Sequence, residues 1–290
     1  MSILDSIKNF LGVNTVNIGD LNRESTSRPV PQAPQPPAPD RLEGIEVTEE
    51  YKRILDLIQA GFPVVFVTGK AGTGKSTLIH YLRTVTQKNI VVVAPTGVAA
   101  LNAKGVTIHS FFRLPPRVIN DEDIKEVKDR RLYKKLDILV VDEVSMVRAD
   151  LMDAMDKFLR TNGQYSNRPF GGVQLLLIGD LFQLPPVVTR QEESILFARK
   201  YTSPYFFSST SLASCQMAPV ELTKIFRQTD SHFTGLLNKI RIAEDLSRVV
   251  PEINTECHRE RAAGDSQITL TCTNAAADGV NIRKLRALPA

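Results

Sequence analysis

Four short apolar runs alternate with amphipathic segments along the chain from about residue 41. The runs are rich in Val, Ile and Leu and are apolar on both faces, which is typical of parallel strands buried on both sides of a sheet. They cover residues 63–69, 89–96, 137–143 and 173–180. Helical patterns follow at 75–85, 97–103, 149–160 and 191–200. This alternation predicts an α/β domain with a doubly wound parallel sheet and flanking helices.

One more helical pattern precedes the first apolar run. Residues 47–61 place Ile54, Leu55 and Ile58 on one face, and Thr48 stands where a helix cap is expected. We therefore predict an amphipathic helix over this segment.

Two segments before this helix differ from the main domain in composition and in the pattern of their apolar residues. Residues 1–12 place apolar side chains on one helical face without the basic start of a secretory signal. The pattern suits a helix that docks on an unassigned partner or a membrane surface, or a frayed terminal helix. Residues 25–40 hold six of the chain's 17 prolines, which predicts an extended linker. The predicted parts are a leader (1–24), a linker (25–45), a main domain (46–245) and a connection with the start of a truncated second domain (246–290).

Composition argues against a membrane-spanning protein and against a disulfide-rich or zinc-binding one. Apolar residues make up 42% and charged residues 23%, as in ordinary globular proteins. No apolar run reaches the roughly 18 residues that a membrane span needs. The net charge of +4 permits a polyanionic partner without requiring one. Cys215, Cys257 and Cys272 are too few and too scattered for a disulfide framework or a zinc site, so free thiols in a reducing cytoplasm are expected.

A glycine-rich loop follows the first apolar run. Its sequence GKAGTGKS fits the pattern G-x-x-x-x-G-K-[ST] between a strand and a helix. The glycines let backbone N–H groups surround phosphate oxygens, and the helix directs its positive end at the anion. Lys75 then reaches the β- and γ-phosphates and Ser76 ligates Mg²⁺. The predicted nucleotide-binding residues are Gly69, Ala71, Gly72, Thr73, Gly74, Lys75, Ser76 and Thr77.

Polar side chains also follow the third and fourth runs. Asp142 and Glu143 end the third run, as in a Walker B strand, with Asp142 as a Mg²⁺ ligand and Glu143 as the group that activates water. Without the phosphate loop, the pair would suit the start of a helix equally well. Gln183 follows the fourth run, where an amide suits contact with a γ-phosphate. A loop residue bonded to backbone is the alternative for Gln183.

Six sequence blocks together resemble the petite-integration-frequency group of superfamily 1B DNA helicases, which are related to RecD. The blocks are GKAGTGKST (69–77), APTGVAALN (94–102), GVTIHSFF (105–112), VVDEVSM (140–146), PFGGVQLLLIGDLFQLPPV (169–187) and ELTKIFRQ (221–228). The resemblance runs from about residue 46 to 290. It implies a RecA-like P-loop NTPase fold, with ATP and Mg²⁺ as cofactors. It also implies an ATP-driven motor that moves 5′→3′ along single-stranded DNA and unwinds duplexes.

The resemblance also implies roles for individual residues in catalysis. Glu143 becomes the catalytic base and Gln183 the γ-phosphate sensor. Arg227, in the FRQ part of its block, becomes an arginine finger that neutralises charge on the transferred phosphoryl group. A surface arginine paired with a carboxylate is the alternative for Arg227.

Contacts with single-stranded DNA are implied for two further blocks. Thr96 and Gly97 offer a small polar group and an exposed amide to phosphates, and His109 lies in the TIHSFF block. Phe111 would give a platform on which bases stack. From the residues alone, we would favour the protein core for His109 and for the two phenylalanines, Phe111 and Phe112.

The sequence departs from the family pattern in two places. The glutamine expected before the first strand, for adenine recognition, is missing from residues 48–51, so base selectivity is left open. Residues 269–288 resemble only the strand and helix that open a second RecA-like domain. We therefore expect an incomplete helicase, completed by a missing C-terminal region or by a partner that supplies the second lobe. The alternative is a module that binds single-stranded DNA or a partner under control of ATP, without translocation.

Overall fold

The computed structural model describes residues 45–199, 201–226, 230–258 and 268–287. The predicted leader, nearly all of the predicted linker and Arg227 lie outside the described residues. The described part divides into two compact units, which meet in the sequence between Ile242 and Ala243.

The first unit is built on one sheet of six parallel strands. The strands are β1 Val64–Gly69, β2 Ile90–Ala94, β3 Val106–Thr107, β4 Ile138–Val141, β5 Gln174–Ile178 and β6 Met217–Leu222. Their order across the sheet is β3-β2-β4-β5-β1-β6, and every neighbouring pair is parallel. The predicted doubly wound α/β fold is therefore confirmed.

Helices connect the strands and cover the sheet. In this unit they are α1 Glu49–Gln59, α2 Lys75–Val85, α3 Gly97–Asn102, α4 Ile108–Phe112, α5 Arg131–Lys134, α6 Ala149–Asn162, α7 Arg190–Ala198, α8 Thr210–Ala213 and α9 Ser231–Arg241. Short 3₁₀ turns lie at Asp121–Asp123, Val144–Met146, Pro169–Gly172 and Phe206–Ser208. Thr48 caps α1 as predicted, with its hydroxyl accepting a hydrogen bond from the Tyr51 N–H.

The core lies on both faces of the sheet. Along β1, Val64 and Phe66 belong to a cluster with side chains of α6, whereas Val65 and Val67 belong to a cluster with α1 and α2. Successive side chains of a strand point to opposite faces, so a strand covered on both sides must be apolar at every position. This packing explains why the four apolar runs in the sequence show no alternation.

Two strands have no counterpart in the sequence prediction. β3 has only two residues, too few to produce a pattern. β6 contains Pro219, which normally argues against a strand because proline lacks an N–H donor. β6 pairs with β1 alone and forms an edge of the sheet, where a missing donor is tolerated.

The second unit, residues 243–290, contains helices α10 Leu246–Cys257 and α11 Asn274–Arg286. The prediction of a strand at the start of residues 269–288 is wrong, because residues 268–273 form no strand. Ile268 and Leu270 are 90% and 93% exposed. A strand needs a neighbouring strand that pairs with its backbone N–H and C=O groups. The described residues of this unit contain no strand that could serve as that neighbour.

None of the helices in the described ranges has the length and hydropathy needed to cross a bilayer. The three cysteines are free thiols, with Cys215 half-buried and Cys257 and Cys272 exposed.

Candidate nucleotide-binding site

The loops after β1, β4, β5 and β6 all lie at the carboxyl ends of the strands, because the strands of a parallel sheet run in one direction and end on the same side. They enclose a cavity of about 280 Å³. Its lining residues are Ala71, Gly72, Gly74, Lys75, Ser76, Thr77, Glu143, Gln183 and Phe226. The fold thus brings the glycine-rich loop, the acidic pair and the predicted sensor into one cavity.

The end of the glycine-rich loop has a backbone conformation that favours glycine. Gly74 has φ +87° and precedes the first residue of α2, Lys75. A Cβ on Gly74 would lie 2.5 Å from the Tyr51 hydroxyl. Gly74 also brings no side chain to cap α2, so the first N–H groups of this 11-residue helix are left to donate hydrogen bonds to an anion, and its first three residues line the cavity.

Two residues from outside the loop hold it in place. The buried Tyr51 donates a hydrogen bond of 2.6 Å from its hydroxyl to the Gly74 carbonyl. Burial, followed by the nearby charge of Glu50, raises the pKa of Tyr51 to about 12, so its hydroxyl keeps its proton. On the other side, the Phe226 N–H donates to the Gly72 carbonyl at 2.8 Å. Helix α1 and the segment after β6 therefore fix the loop from two directions.

Sequence reasoning missed both of these residues. Tyr51 stands in the segment where a glutamine was expected, and nothing in the spacing links it to a loop more than 20 residues away. Phe226 belongs to the ELTKIFRQ block, so the block itself carried a signal that could have identified it. Its ring is 43% exposed and lines the cavity.

Lys75 lies over the glycine-rich loop. Its Nζ donates hydrogen bonds to the carbonyls of Gly69, at 2.8 Å, and Lys70, at 3.1 Å. Burial lowers the pKa of Lys75, and the negative charges of Asp180 and Glu143 oppose that shift. The ammonium group is thus partly removed from water beside carboxylates, where an anionic ligand would gain from its charge.

The acidic pair follows β4 in a strained turn. Glu143 has φ +50°, a left-handed conformation that is uncommon for a residue with a side chain. Its N–H donates to Oδ1 of the buried Asp142 at 3.0 Å. Burial raises the pKa of both carboxyl groups, and the charge of Asp142 raises that of Glu143 further. Glu143 therefore accepts a proton more readily than an ordinary glutamate, which suits a group that takes a proton from water.

Asp180 organises the loop after β5. The Gln183 side chain donates from Nε2 to Asp180 Oδ2 at 3.0 Å. Arg241 of α9 donates to the same carboxylate twice, from Nε and from Nη2, each at 2.7 Å. Burial alone would raise the pKa of Asp180, but the hydrogen bonds from Arg241, Gln183 and the Phe182 N–H outweigh it and lower that pKa. Sequence reasoning missed Arg241, because a contact across 61 residues leaves no local pattern.

The residues predicted to hold Mg²⁺ have the right chemistry for it. Ser76 supplies a hydroxyl and Asp142 a carboxylate, and Mg²⁺ prefers oxygen ligands. The charge of Asp142 raises the pKa of Glu143, and Asp180 raises it further. A divalent cation would neutralise the repulsion within this carboxylate cluster, so the residues fit the ion.

The residues predicted to contact DNA follow β2 and β3, whose ends are paired through Ala94 and Thr107. The Thr96 hydroxyl accepts a hydrogen bond from the Ala99 N–H at 3.2 Å and caps α3. Gly97 is exposed, with open space where a side chain would be. Thr96 therefore stabilises the start of α3, and Gly97 leaves its backbone open to solvent.

His109 is half-buried on α4. Burial is the main cause that lowers its pKa, and the positive charge of Arg148 adds to the shift while Asp150 opposes it. The imidazole is therefore neutral at pH 7. A neutral imidazole donates one hydrogen bond and accepts another, without contributing charge.

The prediction that Phe111 is a stacking platform is wrong. Its ring is only 9% exposed and packs edge-on against Phe112 and Tyr133, with centroid distances of 4.9 and 5.2 Å. The Tyr133 hydroxyl also donates to the Phe111 carbonyl at 2.8 Å. Phe111 and Phe112 are the last two residues of α4, and burial of their two rings in the core anchors this five-residue helix. The core alternative therefore holds for both.

Arg227 lies outside the described residues, so its role as an arginine finger stays a prediction. Its neighbour Phe226 lines the cavity.

Comparison with known proteins identifies the family. A family model described as PIF1-like helicase matches residues 46–253. The chain is 30% identical to the ATP-dependent DNA helicase RRM3 of Saccharomyces cerevisiae, in an alignment covering 100% of this chain and 38% of the relative. It is 32% identical to the ATP-dependent DNA helicase PIF1 of Homo sapiens, over 92% of this chain and 42% of the relative.

Solved structures show the same likeness. A Pif1 helicase from Bacteroides, in complex with ADP-AlF3 and single-stranded DNA, has a TM-score of 0.75 and 39% identity, covering 85% of this chain and 58% of that chain. The Pif1 helicase from Candida albicans has a TM-score of 0.69 and 30% identity, with 85% and 56% covered. The chain thus spans about two fifths of the curated relatives and under three fifths of the crystallised chains. Its family-model match covers most of its length, and the chain belongs to the PIF1-like helicase family.

Proposed function

We propose that residues 46–245 form the ATP-hydrolysing motor domain of a 5′→3′ DNA helicase that acts on single-stranded DNA. Residues 246–290 would be the connection to a second domain. The observation that carries this proposal is the cavity in which the glycine-rich loop, Glu143 and Gln183 meet. The Bacteroides relative, crystallised with ADP-AlF3 and single-stranded DNA, supports the same ligands for this chain.

The nucleotide phosphates would bind at the first turn of α2, where the helix directs N–H groups and its positive end. Lys75 would exchange its bonds to two loop carbonyls for bonds to phosphate oxygens. Ser76 and Asp142 would hold Mg²⁺, which supplies positive charge beside the phosphates. Glu143 would orient the attacking water and take its proton, and Gln183 would contact the γ-phosphate.

Two residues that are adjacent in the sequence, Phe226 and Arg227, would add contacts with the nucleotide. Arg227 would act as an arginine finger on the transferred phosphoryl group. Phe226, which lines the cavity next to the loop, would stack against the nucleotide base. Aromatic stacking tolerates any base, so we expect little preference for ATP over GTP.

Single-stranded DNA would cross the neighbouring ends of β2 and β3. Gly97 would offer its exposed backbone after β2, with Thr96 before it in the chain, and His109 would contribute from the segment after β3. Contacts to the DNA backbone of this kind position a strand without reading its sequence. Affinity should therefore fall with salt and depend little on base composition.

A second candidate function is an ATP-controlled module that binds single-stranded DNA or a partner without moving along it. The second unit favours this candidate, since its described residues contain α10 and α11 and no strand. A RecA-like motor moves when two lobes close on one nucleotide. Without a second lobe from a partner or from further chain, hydrolysis should be slow and translocation absent.

The test uses the pure chain, its Lys75→Ala variant and two duplexes that carry either a 5′ or a 3′ single-stranded tail. We expect slow, Mg²⁺-dependent ATP hydrolysis that single-stranded DNA stimulates and Lys75→Ala abolishes, with no strand displacement on either duplex. Displacement of the 5′-tailed duplex, lost in Lys75→Ala, would contradict the expected absence of unwinding and point to self-association of the chain. Absent hydrolysis combined with different DNA affinities in ATP and ADP would favour the second candidate.

A further inference from the structure

The carboxylate of Asp180 links helix α9 to the loop that carries Gln183. Arg241 holds both oxygens of this carboxylate, and the Gln183 amide is bonded to one of them. We propose that Arg241 is a positioning residue for Gln183. Acting through Asp180, it sets how strongly the site prefers a nucleoside triphosphate to a diphosphate. This inference rests on the proposed role of Gln183 at the γ-phosphate.

The ion pair is rigid enough for this role. Side-chain exposure is 10% for Arg241 and 0% for Asp180, so water hardly competes for either partner. The two parallel bonds of 2.7 Å use the planar fork of the guanidinium, a geometry that a lysine cannot reproduce. Both oxygens of Asp180 are therefore fixed relative to α9.

The loop is bound to this pair at a second point. The Phe182 N–H donates to Asp180 Oδ1 at 3.1 Å, and the Arg241 guanidinium lies 4.6 Å from the centre of the Phe182 ring. Stacking of a guanidinium on an aromatic ring adds to the attraction. Arg241 thus restrains the residue just before Gln183 as well as the carboxylate that Gln183 contacts.

Gln183 itself has little else to hold it. Its side chain is exposed at the cavity, and within the described residues its amide bonds to Asp180 alone. One N–H is used in that bond, which leaves the second N–H for an oxygen of a bound ligand. If the Gln183 amide were mobile, ordering it on binding would cost conformational entropy and lower the affinity. An amide that is already positioned avoids most of that cost. Loss of Arg241 should therefore weaken the γ-phosphate contact and leave contacts with the other phosphates intact.

The experiment measures the ratio of the dissociation constants for ADP and a slowly hydrolysed ATP analogue, by calorimetry with Mg²⁺. We expect Gln183→Ala to lower the preference for the triphosphate roughly tenfold, the effect of one hydrogen bond to a charged group. Arg241→Ala should lower it by a similar factor, with ADP affinity nearly unchanged. The double variant should be no worse than either single variant, because both remove one contact. Arg241→Lys should fall between Arg241→Ala and the unaltered protein.

A matched control is Arg160→Ala, which removes an ion pair with Asp156 within α6, away from the cavity lining. It should leave the ratio unchanged. Equal loss of affinity for both nucleotides in Arg241→Ala, or effects that multiply in the double variant, would overturn the proposal for Arg241 alone. An unchanged ratio in Gln183→Ala would overturn the sensor role of Gln183 as well. If Arg241→Ala does not fold, Arg241→Lys decides: a ratio equal to that of the unaltered protein would overturn the proposal.

Discussion

Tyr51 and Gly74 are joined by a hydrogen bond of 2.6 Å from the tyrosine hydroxyl to the glycine carbonyl. The bond connects the helix that precedes the sheet to the last residue of the glycine-rich loop. Gly74 has a backbone conformation with φ +87°, and the tyrosine hydroxyl occupies the space where a Cβ would lie. The shape of the glycine-rich loop therefore depends on α1 as well as on the loop's own glycines.

Tyr51→Phe should loosen this loop, because it removes the hydroxyl and leaves the ring. We expect the free energy of unfolding to fall by about 1 kcal/mol, the typical value of one hydrogen bond. Affinity for Mg·ATP should fall several-fold, since a loop that is less ordered must be ordered on binding. Urea denaturation and calorimetry measure the two effects. Tyr81→Phe, on a buried ring 5.6 Å from that of Tyr51, is the control and should leave nucleotide affinity unchanged.

Glu143→Gln should separate nucleotide binding from hydrolysis. The amide keeps the size of the side chain and leaves Asp142 in place, so Mg·ATP affinity should change little. Hydrolysis should fall at least about a hundredfold, because an amide cannot accept the proton of the attacking water. A phosphate-release assay with single-stranded DNA measures the rate. Hydrolysis at the rate of the unaltered protein would exclude Glu143 as the base.

Thr96 combines a helix cap with a proposed DNA contact. Thr96→Ala should lower the free energy of unfolding by about 1 kcal/mol, because α3 loses its cap, and should weaken single-stranded DNA binding. Thr96→Ser keeps the hydroxyl and should preserve both properties. Thr189→Ala removes the equivalent cap from α7 and serves as the control. If Thr189→Ala weakens DNA binding as much as Thr96→Ala does, the effect comes from stability rather than from contact.

His109 should contribute to DNA binding without charge at pH 7.5, since its pKa is lowered by burial and by Arg148. We expect His109→Ala to weaken binding while the slope of log affinity against log salt stays the same, because a neutral group releases no counterion. Fluorescence anisotropy at several salt concentrations measures both quantities. A slope smaller in magnitude by about one would instead indicate a charged contact to a phosphate.

The same pKa shift has a consequence for stability. A histidine whose folded pKa lies below its unfolded value of about 6.5 is protonated more readily in the unfolded state. Its contribution to stability is therefore lost as the pH falls below about 6.5 towards the folded pKa. His109→Gln should flatten the decline of melting temperature between pH 7 and pH 5. An equally steep decline in this variant would show that other groups cause it.

Much of the fold could be predicted because buried parallel strands leave an unmistakable run of apolar residues. The four predicted strands are those covered on both faces, and α2 begins at Lys75, at the start of the predicted helix, because the loop motif fixes that position. β6 was missed because Pro219 is tolerated at an edge for reasons that only the strand order reveals. Phe111 was misplaced because the DNA contact was taken from the family resemblance, whereas its apolar ring lies in the core.

The candidate site could be predicted where its residues follow strands directly. Lys75, Glu143 and Gln183 each lie just past a strand, so the parallel sheet alone brings them together. Tyr51 and Arg241 act through contacts with residues far along the chain, and no spacing rule connects the partners. Sequence motifs therefore identified groups that line the cavity, and the structure was needed to find the groups that hold them in place.

Binding of Mg·ATP to this cavity through its glycine-rich loop and Lys75 is the claim on which the proposed function rests. Calorimetric titration of the pure chain with a slowly hydrolysed ATP analogue, with and without Mg²⁺, measures this binding. Lys157→Ala is the control, since that exposed lysine pairs with Asp121 and does not line the cavity. We predict Mg²⁺-dependent binding that weakens at least tenfold in Lys75→Ala, the loss of a charge-assisted contact, and stays unchanged in Lys157→Ala. Equal affinity in the unaltered protein and in Lys75→Ala would contradict the claim.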